Sequence, residues 1–379
     1  MSKKVILIDA LEGEKWIGGL YYRKNILYSM LQIDYLQRKF KIIVAVNQKY
    51  KMLFQEFEDQ ITLLTFPAEK RRLNNIFLSM LILLYRVKYV FPCGGENHFL
   101  DIGAEKIYWI PDFQECYYPE FFPKESLLAR RNKAMNILNA ENALIVSSES
   151  AKKDFEAFFG IKKALFVVPF VSCIEKDVRK IDQTFEESII KKYRLQSRKY
   201  AIVCNQFWQH KNHIVVLKAI KNLARNLKDF KFVFTGELKD NRDAEYCKMV
   251  KNLLESPEIK EKIIVTGFIK REEQLALMKN SDFIIQPSLF EGWGTVLEDA
   301  KVLDQRVILS DIPVHREQQY EKCELFDPYS DVELSEKIVK FMSCSAECDI
   351  ESGIQRMKRS ALEYSKNIDK LFKYLEEKK

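Results

Sequence analysis

Residues 282–316 constrain the fold more than any other part of this chain. An apolar run at 283–286 stops at Pro287, which marks a short strand buried on both faces, as in a parallel sheet. A loop holding Glu291-Gly292-Trp293-Gly294 follows, then an amphipathic helix from Thr295, then a second apolar run at 307–310. Strand, loop, helix and strand in that order form the crossover from which parallel sheets are built. The loop supplies backbone N–H groups at the positive end of a helix dipole, which suits an anion such as a diphosphate. Its glycines let a ligand approach the backbone closely, and the Glu291 carboxylate accepts hydrogen bonds from hydroxyls. Anion binding and hydroxyl binding together fit a sugar nucleotide. On the helix, Val296, Leu297, Ala300 and Leu303 share one apolar stripe. Asp299 falls at the margin of that stripe, where a carboxylate can reach a ligand, and Glu298 falls on the nearly opposite, solvated side.

The same rhythm runs through the chain. Strand candidates stand at 5–8, 42–46, 61–66, 89–92, 107–110, 144–147 and 165–168, and again at 200–204, 232–235 and 263–266. Helical patterns at 20–39, 214–227 and 271–279 separate many of them, and 334–342 and 354–379 are helical at the end. Such alternation predicts α/β architecture with doubly wound parallel sheets. At 379 residues the chain is too long for one ordinary core. The expected division is a first domain at 1–172, a polar, less periodic linker at 173–199, a second domain at 200–350 and a last helix at 351–379. Residues 147–154 read as a strand end running into a serine-capped helix.

Charge narrows the partners. The 61 basic and 54 acidic residues are intermixed and leave a net charge of +7, which favours phosphorylated substrates or an anionic membrane surface and gives no case for nucleic acid. The 8 cysteines are scattered without a Cys-x-x-Cys pair and there are 4 histidines, so reduced thiols are expected and no metal site. The N-terminal stretch lacks the form of a signal peptide, and the longest apolar run, 76–85, is too short to span a bilayer. A cytoplasmic location is expected. The apolar helical stretch 73–84 lies between Lys70-Arg71-Arg72 and Arg86 with Lys88. It reads either as a core helix with solvated ends or as a helix seated on anionic lipid at the inner face of the membrane.

The run from Pro287 to Gly294, followed by Asp299-Ala300, resembles the signature of family-four retaining glycosyltransferases: a glutamate, a Gly-aromatic-Gly turn, and a Glu-Ala pair eight residues after that glutamate. The resemblance implies the GT-B fold, two facing Rossmann-like domains with an interdomain cleft. It implies transfer of a sugar from a nucleoside diphosphate sugar to a hydroxyl acceptor. No Asp-x-Asp metal motif stands beside the signature, so neither a metal nor another cofactor is expected. By the resemblance Glu291 holds the donor sugar and Asp299, a shorter carboxylate than the family's, holds the ribose, with Glu298 as its substitute. Gly292, Trp293, Gly294 and Thr295 then face the diphosphate. Lys211 sits at a helix start, unfavourable for the dipole unless it meets an anion. In the family a lysine here clamps the diphosphate, usually with an arginine five residues earlier. Gln206 occupies that position, so one charge is missing unless Arg316, Lys15 or Arg23 compensates.

Other family segments fall on Gly18-Gly19 after the first strand, on Gly236, and on Phe268, near which the nucleotide base rests. The family's His-Asp pair falls on Pro111-Asp112, so Asp112 is the candidate for orienting the donor or accepting the acceptor-hydroxyl proton. The last helix is implied to cross back onto the first domain. The acceptor implied is a glycan or lipid-linked saccharide in cell-surface polysaccharide or lipopolysaccharide synthesis. A sugar-nucleotide epimerase and a non-catalytic sugar-nucleotide or glycan-binding subunit are the rivals, the second favoured by the missing histidine and arginine.

Overall fold

The computed structural model describes residues 3–11, 17–67, 71–93, 103–139, 142–160, 164–239, 244–344 and 347–378. The chain forms two compact units. The first comprises Met1–Phe113, Lys124–Cys173 and Lys358–Lys379; the second comprises Gln114–Pro123 and Ile174–Met357.

The first unit is built on a parallel sheet of 7 strands: β1 (Lys4–Ala10), β2 (Phe40–Asn47), β3 (Thr62–Phe66), β4 (Val87–Cys93), β5 (Glu105–Ile110), β6 (Leu144–Val146) and β7 (Leu165–Val167). Their spatial order is β3-β2-β1-β4-β5-β6-β7. β1 and β2 are buried almost throughout, as expected of inner strands covered on both faces. The helical pattern after β1 is not one helix but two, Ile17–Met30 and Asp34–Lys39. The chain turns at 31–33, and Asp34 opens the second helix, where its charge suits the dipole. Tyr22 of the first helix stacks on Trp109 of β5, 3.7 Å between ring centres, and Trp109 Nε1 donates to Ser147 Oγ at 3.0 Å. Ser148 caps the helix Glu149–Phe159 by accepting from the Ala151 amide at 3.0 Å, and Gly160 ends it with φ +60°.

Helix Arg71–Leu84 is two-sided. Leu78, Leu81 and Ile82 are buried, whereas Ile76, Met80, Leu83 and Leu84 are each more than half exposed. Lys70 lies outside the described residues. The helix Ile350–Glu377 is assigned to the first unit from Lys358 onward, where Phe372 packs against Phe40 and Tyr89 and the Tyr89 hydroxyl donates to Glu376 Oε1 at 2.6 Å. No helix among the described residues is long and apolar enough to cross a membrane.

The second unit holds a parallel sheet of 6 strands: β8 (Tyr200–Cys204), β9 (Lys231–Thr235), β10 (Ile263–Gly267), β11 (Phe283–Gln286), β12 (Val307–Ser310) and β13 (Cys323–Phe326), ordered β10-β9-β8-β11-β12-β13. The short, mixed run of β13 gave no strand signal. Residues 173–199 are not an open tether. They form helices Glu175–Lys180 and Gln183–Lys192, and their polar side chains are partners of the second unit: the Tyr193 hydroxyl donates to Glu273 Oε1 at 2.7 Å, and Asn280 Nδ2 donates to Glu186 Oε2 at 2.8 Å. Strand order reverses between β8 and β11, with β9 and β10 on one side and β12 and β13 on the other. In open α/β sheets ligands bind past the carboxyl ends of the strands at such a reversal. The segments leaving β8 and β11 are the ones that carry Lys211 and Glu291.

Candidate functional site

Four strand ends are tied in pairs first. Asn205, one residue past β8, donates through Nδ2 to Gln286 Oε1 of β11 at 3.0 Å. Gly236, one residue past β9, donates its N–H to the Gly267 carbonyl at 2.9 Å. Its φ is +103°, and a Cβ there would lie 2.4 Å from the Asn205 carbonyl oxygen, so only glycine fits. Gln206 is half-buried, and its Oε1 accepts from the Glu237 amide at 2.9 Å.

From β8 the chain enters a short 3-10 turn, Gln209–Lys211, and Asn212 reverses it with φ +53° before helix His213–Leu223. Asn212 Nδ2 ties the turn down by donating to the carbonyls of Pro287 at 3.1 Å and Pro328 at 2.8 Å. Lys211 therefore stands ahead of the helix rather than in its first turn, and its Nζ meets Glu291 Oε1 at 2.6 Å. The same oxygen accepts from Gln286 Nε2 at 2.9 Å and Ser288 Oγ at 2.7 Å. Among the described residues no donor reaches Oε2. Burial pushes the Glu291 carboxyl up, but the Lys211 charge, supported by His315 and the hydrogen bonds, overcomes it, and the group is held below the usual carboxylate range.

Behind this carboxylate, Ser310 Oγ donates to the Ser288 carbonyl at 2.5 Å. His315 is fully enclosed and turns Nδ1 to the Ser310 carbonyl at 2.9 Å, which places the proton of the neutral ring on Nδ1; Nε2 is buried without a partner among the described residues. Burial lowers its pKa against the pull of Glu291.

The start of helix Thr295–Val302 differs from expectation. The Gly294 N–H is not open to an anion, because it donates to Gln318 Oε1 at 2.9 Å while Gln318 Nε2 donates back to the Gly294 carbonyl at 2.8 Å. Gln318 Nε2 also reaches Glu298 Oε1 at 2.8 Å, and Lys301 Nζ joins that oxygen at 2.7 Å. Asp299 is 0% exposed and receives a two-point contact from Arg271 at 2.7 and 2.5 Å. Neither carboxylate thus meets its expectation: Glu298 is not solvated, and Asp299 is not turned to an opening. The reason is that the helix is enclosed beyond its apolar stripe. Gly353 packs so tightly that a Cβ would lie 2.1 Å from the Val302 carbonyl, and Arg356 Nη1 donates to the Lys301 carbonyl at 2.9 Å.

Of the remaining candidates, Gly292 and Trp293 are buried, with Lys301 Nζ 5.8 Å from the Trp293 ring centre, and Thr295 is half-buried. Phe268 stands just past β10 and is 64% exposed. Gly18, Gly19 and Asp112 belong to the first unit. The glycine pair lies in the opening turn of helix Ile17–Met30 rather than in a loop before it, Gly18 exposed and Gly19 buried; Asp112 is half-buried two residues past β5. Two of the three expected compensating cations are otherwise engaged. Arg316 pairs with Asp311 at 2.7 Å, buried Arg23 donates to the Gly19 carbonyl at 3.0 Å, and Lys15 lies outside the described residues. Gln286, His315, Gln318 and Arg271 escaped sequence reasoning. No group of three or more His, Cys, Asp or Glu among the described residues is placed to hold a metal ion.

Residues 185–356 match the model of the family described as glycosyl transferases group 1. No curated protein matches the chain. Solved structures do. A glycosyltransferase from Rickettsia africae ESF-5 has a TM-score of 0.65 at 18% identity, with 99% of each chain covered. Sucrose-phosphate synthase from Thermosynechococcus elongatus has 0.66 at 12%, with 100% of each covered. Anabaena HepE in complex with UDP has 0.64 at 16%, with 99% of this chain and 100% of that one covered. The fold is GT-B, and the family match supports a group 1 glycosyltransferase.

Proposed function

We propose that the protein is a family-four retaining glycosyltransferase that moves a sugar from a nucleoside diphosphate sugar to a hydroxyl of a glycan or lipid-linked saccharide in cell-surface polysaccharide synthesis. The observation that carries this reading is the Lys211–Glu291 pair at the point of strand reversal, with one oxygen of Glu291 held by three donors and the other left open. A carboxylate fixed through Oε1 presents Oε2 to the hydroxyls of the donor sugar without cost of reorganisation when the sugar binds. Lys211, whose side chain is not fully enclosed, turns from Glu291 to the diphosphate, and Gln286 and Ser288 keep the carboxylate in place when it leaves. The N-terminal end of helix Thr295–Val302 adds positive potential toward the same charge. That HepE, a relative in fold, is solved with UDP supports a nucleotide donor.

On this reading the exposed ring of Phe268 offers a face to the nucleotide base, Gly236 and Gln206 shape the floor, and Asp112 orients the donor or accepts the acceptor-hydroxyl proton. Leaving-group charge is met by Lys211 and the helix end, so no metal or cofactor is required. Asp299, bound to Arg271, holds the ribose only if that contact opens. The protein works in the cytoplasm, with the exposed face of helix Arg71–Leu84 seated on anionic membrane. A non-catalytic donor-binding subunit is the second reading, favoured by Pro111 and Gln206 where the signature has histidine and arginine.

Calorimetry with UDP, GDP, ADP and dTDP tests the site. One diphosphate should bind, and Lys211→Ala should weaken it at least about tenfold, about 1.4 kcal/mol. Absence of binding by all four to folded protein refutes the donor site. Release of diphosphate from the matching nucleotide sugar separates enzyme from binding subunit.

A further inference from the structure

A line of hydrogen bonds within the second unit runs from Glu291 back to His315. Ser288 Oγ donates to Glu291 Oε1 at 2.7 Å, Ser310 Oγ donates to the Ser288 carbonyl at 2.5 Å, and the Ser310 carbonyl accepts from His315 Nδ1 at 2.9 Å. The far nitrogen of the ring, Nε2, is buried without a partner among the described residues. A buried lone pair left unmatched is destabilising, and an apolar ring at this 0% exposed position would avoid it. What imidazole offers there, and an apolar ring does not, is a place for a proton. Among the described residues, the charged groups that face the ring are Glu291, in the loop after β11, and Lys211, in the turn after β8. On its own helix, Arg316 is exposed and turned to Asp311 at 2.7 Å, and Glu317 is exposed. Burial keeps the ring neutral, Glu291 and the Ser310 carbonyl draw it toward imidazolium, and Lys211 opposes them.

We propose that His315 is a positioning residue that takes up a proton on Nε2 when Lys211 leaves Glu291 for the diphosphate, so that the carboxylate keeps a cation near it while it holds the donor sugar. The inference rests on the proposed donor site. Before binding, Glu291 and Lys211 balance each other at 2.6 Å, and a further charge on His315 would have no counterion. On binding, Lys211 turns away and the diphosphate adds negative charge. An enclosed carboxylate is then left without its cation, which is strongly unfavourable. A proton from water relieves this at either Glu291 or His315. Imidazole is the stronger base, about 6.5 against about 4.3 for the unperturbed groups, so His315 takes it first. The ring is already held through Nδ1, so the charge forms without a change of rotamer and Glu291 stays ionised and in place.

Two measurements test this. The first is carbon-13 NMR of histidine Cε1 in a chain with 4 histidines, the His315 signal being the one absent from His315→Asn or His315→Gln. In Lys211→Met the cation is gone without any ligand, and this signal should titrate about one pH unit or more above its wild-type midpoint. The second is calorimetry at about pH 7, in buffers of different ionisation enthalpy, with whichever of UDP, GDP, ADP and dTDP binds. The diphosphate itself sheds protons on meeting a cation, because phosphate titrates near about 6, and His315→Asn measures that part alone. Wild type should take up at least about 0.3 proton more per diphosphate than the variant. Asparagine keeps an N–H for the Ser310 carbonyl, and circular dichroism checks that the variants fold. Equal proton counts in wild type and His315→Asn overturn the proposal, since the proton then goes elsewhere. So does a His315 signal that titrates alike with and without Lys211. A signal that moves in Lys211→Met, in a protein that binds none of the four diphosphates, supports the His315 assignment and refutes the donor reading instead.

Discussion

The Lys211–Glu291 pair makes the sharpest claim on measurement. Its atoms are 2.6 Å apart, and the side chains keep only 14% and 10% of their exposure. Removing one member of a fully enclosed pair costs about 3–5 kcal/mol, mainly because the other charge is left buried. Here the cost should be lower. Without Lys211, Glu291 Oε1 still accepts from Gln286 and Ser288, and without the Glu291 charge Lys211 can extend into water. Lys211→Met and Glu291→Gln should each lose about 2 kcal/mol, with a coupling energy of about 1–2 kcal/mol in the double variant. The pH dependence provides a second handle. The folded Glu291 carboxyl is depressed, so the stability it contributes is present above its unfolded value of about 4.3 and is lost as pH falls through the folded value. With Lys211 gone, burial dominates and that acid-side loss should shrink or reverse. Urea unfolding followed by tryptophan fluorescence, to which Trp208 and Trp293 contribute from the second unit, measures all four proteins from about pH 7 downward. Singles that add within about 0.5 kcal/mol would refute the coupling, and so would an unchanged acid limb in Lys211→Met.

Three further outcomes are expected. Gly236→Ala should cost about 2–5 kcal/mol, combining left-handed backbone strain with the 2.4 Å approach to the Asn205 carbonyl; Gly267→Ala, with φ +71° and nothing within 4 Å of its Cβ, should show the strain alone, about 1–2 kcal/mol, in the same urea titration. His213 is enclosed, stacks on Phe207 at 4.2 Å, and is driven down to about 3 by burial and then by the Lys211 charge. The unfolded chain binds that proton near pH 6.5, so stability should fall as pH drops below that value, by about 2 kcal/mol at about pH 5 for this residue; unfolding of His213→Gln across that range should lack this part of the slope. Asp299→Ala should lose about 3–5 kcal/mol by stranding the Arg271 guanidinium, and Arg271→Leu beside it should recover part of the loss, read by thermal unfolding.

The strands were legible because they are short apolar runs bounded by Gly, Pro or Asn, and their alternation with helices leaves parallel sheets as the solution. Most of the anticipated boundaries fall within a residue or two of the observed ones; β13, short and mixed, carried no such signal. The site was legible where a residue has a meaning of its own: a glycine with a close neighbour, or a glutamate in a loop at a helix start. It was illegible where meaning depends on a partner in another element. The pair Glu298-Asp299 shows why. A helical wheel assumes one buried face, whereas helix Thr295–Val302 is buried from Leu297 to Val302, so every charge on it must find a partner inside. One signal of that partner stood in the sequence. Arg271 opens its helix, a position where a cation opposes the dipole unless an anion lies opposite. The same argument singled out Lys211, which the structure moves out of the helix and onto Glu291; applied to Arg271 it finds Asp299. A misplaced cation at a helix start is thus a sequence-level pointer to an anion across the fold, and two of them flank the switch-point site in this chain.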